Sequence, residues 1–382
     1  MTAAPYPLIM GICLLLGFAT GMILHRSDYC IAGMFRDLFL FKRVVMLRTL
    51  LLLIVSSMVL FELARLLGML PLYPFPLLYS PTPANLIGGF LFGIGMVLAG
   101  GCVVGTLYKM GAGSILSTAA FAGLILGSAL YAEIHPFWAS FIKRTTFFSG
   151  SITLPQILKL PPVILIVPAA AVGLFLLLKW KKSGGLLRQS SAEGYLQPWK
   201  AALLLSLLGL SSYVLIGMPL GITSSYAKLS GYLGSIVFPD HVAGLAYYQA
   251  IPLKYVHPLT NTYLEGGGGP RFDVLSAVQF PLVAGIILGS LSSALSLKEF
   301  RIYYKVPAGQ YISAFTGGII MGLASRMAPT CNVWHLMGGL PILAASSMLF
   351  LTGLLPGAWL GSRLLMGLVL KNPVAEKGRC KV

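Results

Sequence analysis

Nine apolar runs, each about twenty residues or more in length, dominate this chain and restrict its fold more than any other feature. They fall at 7–25, 45–67, 86–110, 113–133, 157–179, 200–218, 276–297, 310–328 and 338–365. A helix needs roughly 20 apolar residues to cross the hydrocarbon of a bilayer. Inside that hydrocarbon, backbone N–H and C=O groups must find partners within the segment, which leaves helices as the economical solution. The predicted fold is therefore an all-α integral membrane protein of about nine transmembrane helices. Only 10% of the 382 residues are charged, against 57% hydrophobic, and a soluble domain carries about 25% charged residues. The chain reads as a single membrane domain over 1–382, with a first half at 1–179, a cytoplasmic linker at 180–199 and a second half at 200–382. The first run has no charged residue before it, whereas a secretory signal needs a positive n-region and a small-residue cleavage site, so it is expected to be a retained span rather than a removed signal.

The net charge of +17 does not point to nucleic acid. The basic residues lie in short segments between apolar runs, with no basic helix face and no nucleic-acid motif. Lysine and arginine instead set the membrane orientation. With the N-terminus outside, eighteen of them fall inside and seven outside, and Arg326 and Arg363 lie within spans. In a bacterial inner membrane this predicts a periplasmic N-terminus and a cytoplasmic C-terminus. The stretch 219–275 stands apart. It is rich in Gly, Pro and Tyr, its part 229–251 reads as a short membrane-dipping helix, and Glu265 to Pro270 (EGGGGP) reads as a turn-rich linker.

An internal repeat marks a candidate site. Residues 88–102 (GGFLFGIGMVLAGGC) and 317–331 (GGIIMGLASRMAPTC) align without a gap at an offset of 229, so that Gly88, Gly89, Gly93, Ala99 and Cys102 recur as Gly317, Gly318, Gly322, Ala328 and Cys331. A second pair, 123–130 and 353–360, follows at an offset of 230. The two copies would cross the bilayer in opposite directions, as an inverted repeat. Transporters built on such repeats hold substrate where interrupted helices meet near the midplane. Gly100-Gly101 interrupts the first copy and Pro329-Thr330 the second, as broken or re-entrant helices. Half-helix N-termini offer N–H donors and a positive partial charge to an anion. Gly-xxx-Gly spacing by itself only lets helices pack closely; it does not account for a cysteine recurring beside each break.

Of the five cysteines, Cys13 sits mid-run among apolar residues and Cys380 in the tail. Cys102 and Cys331 sit at the repeat's breaks. Cys30 follows the polar knot from His25 to Tyr29 and is expected nearer the cytoplasmic end. A buried thiol is a weak donor with a soft sulfur, and weak contacts suit a conduit from which an anion must be released. The substrate path is thus expected to pass Cys331, Cys102 and then Cys30, with Gly100, Gly101, Thr330 and Asn332 as supporting contacts.

Three segments carry a resemblance. HRSDYCIAGMFRD (25–37), GGFLFGIGMVLAGGCVVGTLYKMGAGS (88–114) and GGIIMGLASRMAPTCNVWHLMGG (317–339) are similar to motifs of the YeeE/YedE family of membrane proteins. The resemblance implies nine crossing helices with short non-crossing ones, uptake of thiosulfate or a related sulfur compound, three functional cysteines matched by Cys30, Cys102 and Cys331, and a small TusA-like sulfur carrier as a partner. It implies neither enzymatic activity nor a cofactor. Three other readings stay open at this level. A membrane thiol-disulfide oxidoreductase would use paired cysteines, a metal-ion transporter would use His335 one turn beyond Cys331, and the substrate of a sulfur-type transporter could be a selenium compound. There is no P-loop for a built-in ATPase. Glu62 and Glu133 are the acidic residues within runs, near their outer ends.

Overall fold

A computed structural model describes residues 6–188 and 194–370. The chain order is α1 (Tyr6–Ser27), α2 (Ile31–Phe41), α3 (Val45–Leu66), α4 (Pro83–Leu98), α5 (Val103–Gly111), α6 (Ile115–Thr145), α7 (Leu154–Leu158), α8 (Pro162–Lys182), α9 (Pro198–Ile216), α10 (Thr223–Val237), α11 (Pro239–Gly244) and α12 (Ala246–Gln249). A two-stranded hairpin follows, β1 (Leu253–Val256) and β2 (Tyr263–Gly266), then α13 (Val274–Ser296), α14 (Ala308–Met327), a helical segment over 332–342, and α15 (Ala345–Leu364). Among the described residues, 8 helical stretches are long and apolar enough to cross a bilayer. α14 is of similar length but less apolar. It lies against α4 and α6, where small residues rather than lipid meet its surface. The protein is an all-α membrane protein apart from the one hairpin. The predicted linker 180–199 is partly the end of α8, and residues 189–193 lie outside the described residues, as does Cys380.

Two of the apolar runs are divided. The 86–110 run breaks after Leu98, where Gly100 adopts φ +68, a conformation that favours glycine. The 338–365 run breaks at Leu343 and Ala344, so its first part belongs to the short 332–342 segment and only α15 continues as a long helix. The region 219–275 departs most from expectation, since it holds three helices and the hairpin. The four glycines at 266–269 are not a linker but a buried packing surface. A Cβ on Gly267 would collide with the Ala250 carbonyl, and one on Gly269 with that of Tyr248.

The repeat's small residues set helix spacing. A Cβ on Gly89 would strike the carbonyl oxygen of Phe350, and one on Gly318 that of Ala120. Likewise Gly93 meets Leu354 while Gly322 meets Leu124, and Gly353 meets Leu86 while Gly123 meets Phe315. In each case the second contact is the first shifted by the repeat offset. α4 therefore runs parallel to α15, and α14 parallel to α6. Between copies the direction reverses: Gly88 abuts Ala328 and Gly317 abuts Ala99. α4 and α14 cross each other antiparallel through equivalent residues. Close approach of this kind replaces the hydrophobic driving force that helices lack in lipid. α1 and α13 form a third glycine-paired set, with Gly17 against Leu282 and Gly289 against Phe18.

The hairpin buries an ionisable group. His257, in its turn, is fully buried, its Nδ1 pairs with Thr260 Oγ1 at 3.2 Å, and its Nε2 has no partner. Burial holds the imidazole below its ordinary pKa of 6.5. The unfolded hairpin therefore takes up a proton first as pH falls, and stability is lost below about 6.5 and retained above it, by up to ~1.4 kcal/mol per pH unit for one proton. Protection of the 253–266 amides, measured relative to the intrinsic exchange rate at each pH, should fall between pH 7.5 and 5 in the wild type, and less so in His257→Phe. An equal loss of protection in both would remove His257 as the cause.

Candidate functional site

Cys30, Cys102 and Cys331 occupy the same position in three different places: each is the residue immediately before a short helix. Cys30 precedes α2 and Cys102 precedes α5, both with extended backbone. Cys331 precedes the 332–342 segment. Each carbonyl accepts the first helical hydrogen bond, from Met34 N at 3.0 Å, Thr106 N at 2.8 Å and His335 N at 3.0 Å. Each thiol faces the backbone N–H three residues on, at Gly33, Gly105 and Trp334. For Cys102 that contact is a hydrogen bond from Gly105 N to Sγ at 3.4 Å. A sulfur thus stands at three helix N-termini, where unpaired N–H groups and the helix dipole favour negative charge. All three residues are at most 4% exposed.

The structure brings two of the three sulfurs together. Cys30, expected nearer the cytoplasm and apart from the others, lies beside Cys102. A Cβ built on Gly105 would sit 2.9 Å from the Cys30 sulfur and 3.4 Å from that of Cys102. α1 ends at Ser27, Asp28 turns the chain with φ 49, and α2 begins at Ile31 and packs on α15 and α4, so Cys30 sits in a buried joint between the two helices. Cys331 lies across from this pair. Its neighbour Asn332 is set near the Cys102 thiol without a hydrogen bond to it, and Tyr226 of α10 lies in the neighbourhood of both Cys102 and Cys331. Tyr226 is fully buried, with its hydroxyl only 3.4 Å from the Val103 carbonyl as a partner. Asn332 is also fully buried, and neither Nδ2 nor Oδ1 has a hydrogen-bond partner. A buried amide left unsatisfied costs free energy, so this one is poised to receive something. A cavity of about 30 Å³ adjoins Cys102 and Gly105, walled by Tyr29, Leu220, Ile286 and Val333.

The remaining expected contacts divide. Gly100 has no free amide, because its N–H donates to the Val97 carbonyl at 3.1 Å and its own carbonyl accepts from Lys109 Nζ at 2.6 Å; it serves the turn, not a ligand. Gly101 packs on the start of α5, 3.3 Å from Gly105 at its would-be Cβ. Thr330, at φ 136, has its hydroxyl 3.0 Å from His335 Nε2. His335 spends both ring nitrogens, Nε2 also toward the Ala328 carbonyl at 3.1 Å and Nδ1 toward Ser347 at 2.9 Å, and stacks on Phe350. Both ring nitrogens are thus engaged in hydrogen bonds within the protein. Glu62 is taken by Arg65 at 2.6 Å and Glu133 pairs with His241 at 2.8 Å. Cys13 is buried in α1.

A second, larger cavity of about 300 Å³ lies on the far side of Thr330. Tyr79, Tyr131, His135, Lys143, Tyr247 and Arg326 line it. Arg326 donates to Tyr247 Oη at 3.3 Å and to Thr223 Oγ1, and its Nε is buried without a partner. The six lining residues come from four separate segments, and only Arg326 left a trace in the sequence, as a charge inside a span. The cavity presents cationic and hydroxyl donors at one end of the Arg326 to Cys331 stretch, and the thiols and the Asn332 amide lie at the other. That arrangement can strip water from a small anion in stages without any single tight site.

The model of a family described as sulphur transport matches residues 26–360. The thiosulfate transporter TsuA of Spirochaeta thermophila is 31% identical over 351 residues, covering 91% of this chain and 96% of that protein. The thiosulfate transporter TsuA of Escherichia coli is 26% identical over 368 residues, covering 91% of this chain and 92% of that protein. The probable transporter YedE of Salmonella typhimurium is 31% identical over 133 residues, 35% of this chain and 31% of that protein.

Proposed function

The chain belongs to the sulphur transport family, the YeeE/YedE family of its motifs, and is a multi-pass membrane transporter of a sulfur compound rather than an enzyme; from that premise we propose that it takes up thiosulfate through the bacterial inner membrane by passing it along the three thiols. The anion is first held in the 300 Å³ cavity by Arg326 and the surrounding hydroxyls. It then moves past Thr330 to Cys331, on to Asn332 and Tyr226, and to the Cys102–Cys30 pair. The observation that carries the reading is Asn332: a fully buried carboxamide with both polar atoms unpartnered, set between the thiols. An unpaired dianion in hydrocarbon costs tens of kcal/mol. Staged replacement of its water by N–H, O–H and S–H donors lowers that barrier. The equivalent contacts of the two copies support an inverted repeat with the substrate between α5 and the 332–342 segment.

In this reading the N-terminus is periplasmic and the Arg326 cavity opens outward, since His135, Lys143 and Arg326 lie at the expected outer ends of α6 and α14. A potential of 100 mV, inside negative, opposes a dianion by ~4.6 kcal/mol. Consumption inside the cell, by a TusA-like sulfur carrier as the resemblance implies, would draw the anion inward. The test is uptake of radiolabelled thiosulfate with sulfate, sulfite and selenium oxyanions as competitors. Thiosulfate should be taken up saturably and sulfate, which lacks a terminal sulfur, should compete poorly; sulfate uptake equal to that of thiosulfate would defeat the soft-anion path. Arg326→Gln tests the outer site. It removes a charged donor worth about 1.5–3 kcal/mol to an anion, so KM should rise roughly 10- to 150-fold with the maximal rate nearly unchanged. An unaltered KM would remove the outer cavity from the path.

A further inference from the structure

We propose that Cys30 and Cys102 form a reversible redox lock, closing to a disulfide across the transport path when a small hydroperoxide reaches them. The two sulfurs crowd a single point above Gly105, 2.9 and 3.4 Å from it, so their separation cannot exceed the sum of those distances. Glycine is what allows this. Any side chain at 105 would occupy the space between the sulfurs, and both residues sit at helix starts whose extended backbone leaves the thiols facing each other. Helix N-termini favour the thiolate, which is the reactive form. The cavity of about 30 Å³ beside Cys102 has room for a water-sized oxidant such as hydrogen peroxide. Among the described residues, no other thiol is placed against Cys331 or Cys13 in this way, so oxidation should select the one pair. No sequence spacing announces it, because 71 residues separate the partners.

The chemistry balances with hydrogen peroxide as the two-electron oxidant. One thiolate attacks a peroxide oxygen, the O–O bond breaks, and a sulfenic acid and hydroxide result. The second thiol then attacks the sulfenic sulfur and expels its oxygen, which leaves as water. The sum is two thiols and one peroxide giving one disulfide and two waters. A dithiol reductant reverses it by exchange. Closure rests on the proposed path: a bond between these sulfurs would fill the space through which the anion passes. A transporter that supplies reduced sulfur would thereby stop when the cell is oxidised.

The experiment uses the full chain in nanodiscs, treated with hydrogen peroxide, denatured, alkylated with N-ethylmaleimide and digested without reductant. Mass spectrometry should find the peptides bearing Cys30 and Cys102 joined, lighter by two hydrogens, with Cys331 and Cys13 alkylated. Dithiothreitol should release them. In membrane vesicles the same treatment should lower thiosulfate uptake at least tenfold, restored by dithiothreitol. Recovery of Cys30 and Cys102 as alkylated or as separately over-oxidised residues would overturn the lock. Joined peptides with undiminished uptake would overturn both the closure and the path past this pair. Absence of the join, where Cys102→Ala nonetheless abolishes uptake, would overturn the lock and leave the transport reading standing. Gly105→Ala supplies an independent geometric check, since its methyl group should suppress the join; an undiminished yield there would also count against the pairing.

Discussion

Cys102→Ala is expected to lower thiosulfate uptake at least a hundredfold, with the transporter still folded and present in the membrane. A hundredfold corresponds to about 2.7 kcal/mol, and the sulfur has the contacts to account for it. It accepts the Gly105 N–H at 3.4 Å, lies beside the Cys30 thiol and has the unpartnered Asn332 amide in its neighbourhood. Alanine keeps the backbone turn into α5, whose first bond runs to the residue 102 carbonyl rather than to its side chain. What disappears is a polarisable donor at the point where the two repeat copies converge, and the anion meets a methyl group instead. Cys331→Ala should behave similarly, because its thiol stands in the equivalent place in the other copy. Cys13→Ala should transport normally, since Cys13 is buried in α1 away from the three helix starts. Rates of labelled thiosulfate uptake, normalised to the amount of protein in the membrane, decide the matter. Near-normal uptake in Cys102→Ala and Cys331→Ala together would end the relay.

Much of this was legible in the sequence, and the parts that were not share a physical cause. Apolar length fixed the long helices, and the recurrence of Gly88, Gly93 and Cys102 as Gly317, Gly322 and Cys331 located the two breaks. Both signals are local, set by one segment's contact with lipid or with its own backbone. The adjacency of Cys30 to Cys102 is not local. It depends on how sharply the chain turns at Asp28 and on which helix α2 then meets. The outer cavity assembles Tyr79, Tyr131, Tyr247 and Arg326 from segments with no common spacing. The polar stretch 219–275 hid the most, because its short helices and hairpin are stabilised by each other and by one buried lysine. Gly100 shows the converse error: a glycine beside a cysteine invited a ligand role, while its amide and carbonyl are both consumed by the turn itself.

That lysine is the subject of the other large expectation: Lys228→Met should destabilise the outer region by about 3–5 kcal/mol, the cost of breaking a buried ion pair by removing one partner. The Lys228 side chain is 0% exposed. Its Nζ donates to Asp273 Oδ2 at 2.9 Å and to the carbonyls of Gly269 at 3.1 Å and Arg271 at 2.8 Å. Asp273 in turn accepts from Gly267 N at 3.0 Å and caps α13 by accepting from Ser276 N at 3.2 Å. Methionine fills a similar volume and leaves two carbonyls unpaired and the carboxylate with only Arg271, at 3.7 Å, as a charged neighbour. The consequence should reach the transport site. The glycine stretch held by this clamp packs Gly268 against the ring of Tyr247, whose hydroxyl receives Arg326. Lys228→Met should therefore show both an earlier thermal transition and a raised KM for thiosulfate. Lys228→Met combined with Asp273→Asn, which removes the stranded charge, should recover part of the stability. If the single variant unfolds at the wild-type temperature, the ion pair does not hold this region. If stability falls while KM stays at its original value, the coupling from the clamp through Tyr247 to Arg326 is absent.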